Sequence, residues 1–291
     1  MGSRRLHQMS VIEHYILTLR CADGPGIVHA IAGSLLGAQG NILEQAQFTD
    51  EDSGVFSLRT KFESPLELEE VRTAITAQVA QFSPEMTLRR ESDRRRALIM
   101  VSKHDHCLID LLYRHEIGEL PIEIPLIVSN HPDCEHIAKR HGIPYVYLPV
   151  TADTKADQET ELLRLTKEHN IDVVILARYM QVLSDDLCTK LSGRIINIHH
   201  SFLPGFKGAR PYHQAHDRGV KLIGATAHFV TAQLDEGPII EQEVERVTHA
   251  QSANDLAEIG RDVERLVLAR AVRLFAEDRI MLAGRKTVVF K

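Results

Sequence analysis

The sequence of 291 residues predicts an α/β protein in two parts. In residues 11–91, segments with a strand-like hydrophobic period alternate with segments of helical period. Residues 97–291 instead carry short, unbroken apolar runs separated by helical patterns. The charged segment 91–97 lies between them and is interpreted as a solvated linker, although its arginines could also form an anion site.

The first part begins with a strand and a helix. Residues 11–20 alternate apolar and polar side chains, as in a half-buried strand. The sequence Asp-Gly-Pro-Gly at 23–26 breaks this pattern and predicts a turn. A helix follows, and the glycine at 40 is expected to end it. Its predicted apolar face comprises Ile27, Ile31, Leu35 and Leu36.

Three strands and a second helix complete the first part. Residues 42–48 and 55–62 are predicted strands joined by a polar turn. Pro65 precedes the second helix, and residues 86–90 form a last strand. The apolar face of that helix comprises Leu68, Val71, Ile75 and Val79. The order β-α-β-β-α-β is that of a ferredoxin-like α+β domain.

This element order, with Asp-Gly-Pro-Gly-Ile at the first strand-to-helix turn, resembles an ACT domain. The resemblance implies a regulatory or oligomerisation domain over residues 11–91, pairing through its sheet in a homo-oligomer. It also implies a small amino-acid effector, glycine or methionine, near residues 23–27 and 37–41. Oligomerisation without any ligand is an equally compatible alternative. The implied effector-binding residues are Asp23, Gly24, Pro25, Gly26 and Ile27.

The second part alternates strands and helices. Predicted strands are 97–101, 122–128, 145–148, 173–176 and 195–198, and predicted helices are 108–115, 134–141 and 158–169. Unbroken apolar strands between helices indicate a Rossmann-like, mostly parallel sheet covered on both faces. Ser252 with Asp255 predicts a capping box that begins a long C-terminal helix. Its apolar face is expected to comprise Leu256, Ile259, Val263, Leu266 and Leu274.

Composition excludes several classes of protein. Lysine and arginine number 34 against 40 acidic residues, and this net charge of −6 does not suit a general nucleic-acid binder. No apolar stretch approaches the roughly 20 residues of a membrane span. Four cysteines without a CxxC pair indicate reduced thiols and a cytoplasmic protein. Residues 1–10 lack the apolar core of a secretion signal and could be an expression leader before a natural start at Met9.

The segment 195–205 carries the residues best suited to catalysis. Asn197 and His199 are two positions apart, so both side chains can point the same way at the carboxyl end of a strand. Both can donate hydrogen bonds to a developing oxyanion. Asp235, in an Asp-Glu-Gly turn between two alternating segments, can orient or deprotonate a water. The Gly- and Pro-rich residues 203–210 are expected to form a shaped loop.

Two further histidines flank these residues. His200 is expected to point to the opposite side and to be structural. For His228, lining the site and a structural role are equally compatible with the pattern. A zinc site of His199, His228 and Asp235 has suitable donor atoms but no short ligand pair, so no metal is expected.

Two motifs at this separation resemble the folate-dependent formyltransferase superfamily. They are Asn-Ile-His-His-Ser-Phe-Leu-Pro at 197–204 and His-Phe-Val-Thr-Ala-Gln-Leu-Asp-Glu-Gly-Pro-Ile-Ile at 228–240. The resemblance covers about residues 97–250. It implies catalysis by Asn197, His199 and Asp235, a folate substrate, and no metal or other cofactor. The pterin pocket is implied to be lined, largely through backbone groups, by Arg178, Tyr179, Met180, Gln181, Val182 and Leu183.

Members of that superfamily pass a formyl group to an amine or to water. Those that bind a phosphorylated amine carry a glycine-rich cradle after their first strand. The matching segment here, 101–108, has no glycine, and the side chains at 104–106 would crowd and repel a phosphate. The two-part architecture also resembles the hydrolytic members. Hydrolysis of 10-formyltetrahydrofolate to formate and tetrahydrofolate, supplying formate for purine synthesis, is therefore predicted.

Two alternatives stay open from the sequence. The first is an amine formyltransferase whose acceptor carries no phosphate, such as a sugar amine or an aminoacyl-tRNA. The tRNA version would need a basic surface, which a net charge of −6 does not favour. The second is a non-catalytic sensor in which the ACT-like part is joined to an inactive folate-binding domain.

Overall fold

The computed structural model describes residues 12–203 and 211–291. The possible leader at 1–10 and most of the predicted loop at 203–210 lie outside the described residues. The chain divides into two compact units, Met1–Asp93 with Phe290–Lys291, and Arg94–Val289. No helix in the described part of the chain is long and apolar enough to cross a membrane.

The first unit has the β-α-β-β-α-β order that the sequence predicts. Its strands are β1 (Glu13–Ala22), β2 (Asn41–Asp50), β3 (Val55–Ser64) and β4 (Glu85–Arg90), and its α-helices are α1 (Ile27–Gly37) and α2 (Leu68–Val79). The strands form an antiparallel sheet in the order β2-β3-β1-β4. The prediction of a ferredoxin-like domain is therefore confirmed.

Helix α1 shows which parts of the pattern are correct. The residue before it, Gly26, has φ 94°, a left-handed conformation that glycine adopts readily. Ile27, Ile31 and Leu35 are buried as predicted, but Leu36 is 77% exposed. Leu36 follows Leu35 by one position, which turns its side chain about 100° away from the buried face.

The second unit contains a seven-stranded mixed sheet. Its strands are β5 (Arg95–Val101), β6 (Ile122–Ser129), β7 (Tyr145–Tyr147), β8 (Val173–Leu176), β9 (Ile195–His199), β10 (Leu222–Phe229) and β11 (Ile239–Arg246). They follow the order β11-β10-β9-β8-β5-β6-β7. Strands β5 to β9 are parallel, and β10 and β11 are antiparallel additions. The mostly parallel sheet is confirmed.

Helices cover this sheet, and a hairpin follows the last one. The helices are α3 (His106–Glu116), α4 (Glu135–Arg140), α5 (Lys155–Glu168), α6 (Asp185–Lys190), α7 (Pro211–Asp217) and α8 (Ala253–Ala276), and the hairpin is β12 (Ile280–Ala283) with β13 (Lys286–Val289). Ser252 and Asp255 form the predicted capping box at the start of α8. Leu256 and Val263 are buried as predicted, and Leu268, Ala271 and Val272 are buried as well. The predicted Ile259, Leu266 and Leu274 are only partly buried.

The topology explains where a ligand can bind. The chain moves from β5 outward to β6 and β7, then crosses to β8 and β9 on the other side of β5. The strand order reverses between β5 and β8, and open α/β sheets bind ligands at the carboxyl ends of strands beside such a reversal. The loops after β5, β8 and β9 meet at this edge.

Candidate active site

A cavity of about 710 Å³ opens at the carboxyl ends of β5, β8 and β9. Its wall includes the predicted catalytic residues Asn197, His199 and Asp235 and all six residues of the predicted folate segment. The structure thus places these two sets of residues in one cavity, within the second unit.

The pairing of β9 with β10 assembles the polar centre of this cavity. Asn197 lies directly opposite His228, and its Nδ2 is 3.2 Å from His228 Nε2. His199 Nδ1 is 3.2 Å from Asp235 Oδ1. His228 Nε2 is 3.8 Å from the same carboxylate oxygen. The three predicted residues therefore come together, and His228 joins them as a fourth.

Asp235 lies in the connection between β10 and β11. Its backbone has φ 56°, a left-handed conformation in which Asp and Asn are enriched over other non-glycine residues. The hydrogen bond from His199 lowers the pKa of the Asp235 carboxyl, and this outweighs burial, which acts in the opposite direction. Asp235 is therefore ionised at neutral pH and can accept a proton or a hydrogen bond from water.

His228 holds a single tautomer through its neighbours. Its Nδ1 is 2.8 Å from the carbonyl oxygen of Phe229, which can only accept, so Nδ1 carries the proton. Nε2 then accepts a hydrogen bond from the Asn197 amide. Burial lowers the pKa of His228, which favours this neutral form. His228 thereby orients Asn197 and lines the cavity. Of the two roles left open by the sequence, the structure favours the one at the site.

The prediction for His200 is wrong. Its ring lines the same cavity, with a centroid 5.0 Å from that of His199. Strand β9 ends at His199, so the alternation of a strand does not extend to the next residue. Burial and the nearby Arg178 charge lower the pKa of His200 to about 4. Among the described residues, no group forms a hydrogen bond with its buried Nδ1.

A buried carboxylate on α8 was not predicted from the sequence. Glu264 is 1% exposed, and it accepts hydrogen bonds from Tyr212 Oη at 2.6 Å and His106 Nε2 at 2.7 Å. Arg178 Nε lies 3.4 Å from the carboxylate. Burial alone would raise the pKa of Glu264, but His106, Arg178 and Tyr212 together lower it. The sequence offers one signal for this residue: an acidic side chain directly after Val263, which belongs to the predicted apolar face of the helix.

The predicted folate segment follows β8 and is fixed by its backbone. Ser102 N donates to the carbonyl of Arg178 at 3.3 Å, and Met180 N donates to Ser102 Oγ at 3.0 Å. Ser102 Oγ itself donates to Asn130 Oδ1. Tyr179 is buried, whereas Met180 and Val182 are exposed at the cavity mouth. Within the segment, the side chain of Arg178 is the one that forms an ion pair with Glu264.

The predicted effector segment of the first unit forms a turn. Asp23 N donates to the carbonyl of Gly54 at 2.8 Å, which joins this turn to the loop between β2 and β3. Asp23, Pro25 and Gly26 are exposed, but Ile27 is buried in the core of the unit. Ile27 therefore packs in the core of the unit, whereas Asp23, Pro25 and Gly26 are accessible to solvent.

One group of described residues has the spacing of metal ligands. Donor atoms of His106, Cys107 and Glu264 lie within 4.8 Å of one another. Both oxygens of Glu264 already accept hydrogen bonds, one from Tyr212 and one from His106 Nε2. These hydrogen bonds use the atoms of His106 and Glu264 that would bind a metal.

Comparison with known proteins agrees with this geometry. Residues 95–272 match the family described as Formyl transferase. The formyltetrahydrofolate deformylase of Corynebacterium sp. is 46% identical over 97% of this chain and 100% of the relative. The formyltetrahydrofolate deformylase of Synechocystis sp. is 49% identical over 94% of this chain and 97% of the relative. The solved formyltetrahydrofolate deformylase of Burkholderia mallei has a TM-score of 0.93 and 50% identity, over 96% of this chain and 100% of that chain. The chain therefore belongs to the formyltetrahydrofolate deformylase family.

Proposed function

We propose that this chain hydrolyses 10-formyltetrahydrofolate to formate and tetrahydrofolate. The observation that carries the proposal is the Asp235–His199 pair, 3.2 Å apart, which lies in the cavity beside Asn197. This pair combines an ionised carboxylate with hydrogen-bond donors, as water attack on an amide carbonyl requires. Relatives named for this reaction align with nearly the whole chain.

The residues divide the reaction between them. The pterin binds along residues 178–183, and the formyl carbonyl lies against Asn197 and His199. Asp235 holds the attacking water and assists its deprotonation as the water oxygen bonds to the formyl carbon. The Asn197 amide donates to the oxyanion. His199 donates through Nε2 when both of its ring nitrogens carry a hydrogen, because its Nδ1 already donates to Asp235. One such donor is typically worth about 10²–10³ in rate. The bond from carbon to N10 then breaks, and N10 takes the proton that Asp235 removed from the water. Formic acid leaves and loses its own proton to solvent, which gives formate.

Water is the acceptor because the turn after β5 does not suit a phosphorylated amine. Asp105 lies directly before α3, where backbone N–H groups would otherwise attract an anion. His104 and His106 line the cavity beside it, and His106 is held by Glu264. Together they place a negative charge and two rings where a phosphate would need exposed backbone.

An assay without an acceptor tests the proposal. The purified chain is incubated with 10-formyltetrahydrofolate alone, and formate and tetrahydrofolate are measured over time. We expect both products in equal amounts, at a rate that added amines do not increase. Release of tetrahydrofolate only when an amine is supplied, with formylation of that amine, would favour the transferase alternative. Binding of folate without turnover would favour a sensor.

The first unit is proposed to regulate and to assemble the enzyme. We propose a cytoplasmic homo-oligomer in which the exposed turn at residues 23–26 contributes to binding of glycine or methionine. The enzyme would supply formate for purine synthesis and balance one-carbon pools, with no metal or cofactor beyond its folate substrate. Equilibrium dialysis with each amino acid and light scattering test these points. Absence of binding would leave the oligomerisation role alone.

A further inference from the structure

We infer that Glu264 and the side chains that hold it form a specificity determinant that excludes amine acceptors from the cavity. The Glu264 group is defined as His106, Arg178, Tyr212 and Glu264. The inference rests on the proposed hydrolysis. It assigns a role to Tyr212 and Glu264, which take no part in the proposed mechanism, and extends the role of His106 and Arg178, which do.

The Glu264 group joins four separate parts of the second unit. His106 begins α3, Arg178 follows β8, Tyr212 lies on α7 and Glu264 on α8. Both carboxylate oxygens are engaged, Oε1 by Tyr212 at 2.6 Å and Oε2 by His106 at 2.7 Å. Loss of one partner would leave the buried negative charge of Glu264 without compensation, which is strongly destabilising. The four side chains therefore hold one another in place.

The group borders the reaction centre through His200. The ring of His200 has its centroid 5.0 Å from His199 and 6.5 Å from Tyr212. The folate substrate is proposed to bind on the side of the cavity that Met180 and Val182 line. Tyr212 and His106 line the wall of the cavity together with His200, and the Tyr212 ring lies 6.5 Å from the His200 ring. A nucleophile larger than water that approaches the formyl carbon from this side would meet these rings.

Gly260 shows how closely Tyr212 is seated on α8. A Cβ atom at Gly260 would lie 2.1 Å from Tyr212 Cζ and 2.2 Å from its hydroxyl oxygen, a separation that forces the ring to move. Glycine within a helix is destabilising relative to alanine. Its position one turn before Glu264, under this ring, allows Tyr212 to reach the carboxylate.

The variants Gly260→Ala and Tyr212→Ala test the inference. The first displaces the ring without removing any charged group, and the second removes it. Each variant is supplied with 10-formyltetrahydrofolate and hydroxylamine, a small amine probe, and the ratio of formylated amine to free formate is measured. We expect both variants to hydrolyse the folate, and this ratio to rise about tenfold, in the range that a changed pocket contact can produce. Glu258→Gln, at an exposed position on α8, is the control and should keep the wild-type ratio.

The product ratio separates a specificity role from a structural one, because partial unfolding lowers both products together. An unchanged ratio in both active variants would overturn the inference while leaving the proposed hydrolysis intact. Loss of hydrolysis in both would also overturn it, because the group would then serve the reaction itself. Failure of the wild-type chain to release formate would instead refute the proposed function.

Discussion

Replacing Asp235 by asparagine removes a charge from the proposed site and little else. Asparagine has nearly the same size, and it also tolerates the left-handed backbone that Asp235 adopts at φ 56°. The turn between β10 and β11 should therefore keep its shape. The variant loses the carboxylate that is ionised at neutral pH and that accepts the hydrogen bond from His199 Nδ1.

The expected loss follows from what the carboxylate does. A general base is typically worth about 10²–10⁴ in rate, so the Asp235→Asn variant should lose at least about 10² in kcat. Folate binding should survive, because the segment at residues 178–183 is held by Ser102 and not by Asp235. The predicted signature is therefore a large fall in kcat with little change in folate affinity.

Formate release at saturating substrate, folate titration and thermal unfolding give the three quantities required. Glu236→Gln is the matched control, since it removes an exposed carboxylate from the same turn and should keep most of the activity. Near-wild-type kcat in Asp235→Asn would refute the role of the carboxylate. Loss of folate affinity with kcat intact would refute it equally.

Three further predictions concern other residues. His199→Ala should lower kcat at least about 10²-fold, since it removes an oxyanion donor, with folate titration as the check on binding. His200 has a pKa of about 4 against an ordinary 6.5, so the unfolded chain binds its proton first and folding stability falls as pH drops from 6.5 towards 4. Between pH 7 and pH 5, the free energy of unfolding should fall by about 2 kcal/mol less in His200→Asn than in wild type, as measured with denaturant. An equal fall in both would contradict this. Ser252→Ala should lower the free energy of unfolding by about 1 kcal/mol through loss of the α8 cap.

Features set by neighbouring residues could be predicted from the sequence. The run 173–176 became β8 with the same bounds, because a strand buried on both faces leaves an unbroken apolar signal. The capping box of Ser252 and Asp255 involves residues three positions apart, so its pattern is local. The meeting of Asn197, His199 and Asp235 was expected from the motif resemblance, and the pairing of β9 with β10 supplies its geometry.

Features set by distant residues could not be predicted in this way. Glu264 and His106 are 158 positions apart, and nothing local to either indicates their hydrogen bond. His200 was assigned to the wrong side because the end of β9 depends on the chain that packs beyond it. The helices α6 and α7, of six and seven residues, are absent from the sequence prediction, although α4, also of six residues, is predicted. Short helices of this kind give a weak periodic signal.

Gly237 affects which ring nitrogen of His228 carries the proton, although Gly237 has no side chain. A Cβ there would come within 1.7 Å of the Phe229 carbonyl oxygen, the same oxygen that His228 Nδ1 contacts at 2.8 Å. Any larger residue would push this carbonyl aside and release the imidazole to move its proton to Nε2. Nε2 could then no longer accept from the Asn197 amide, which would be free to rotate. Substitution at Gly237 should thus impair the chemistry of the pocket, although Gly237 itself is not among the residues that line the cavity.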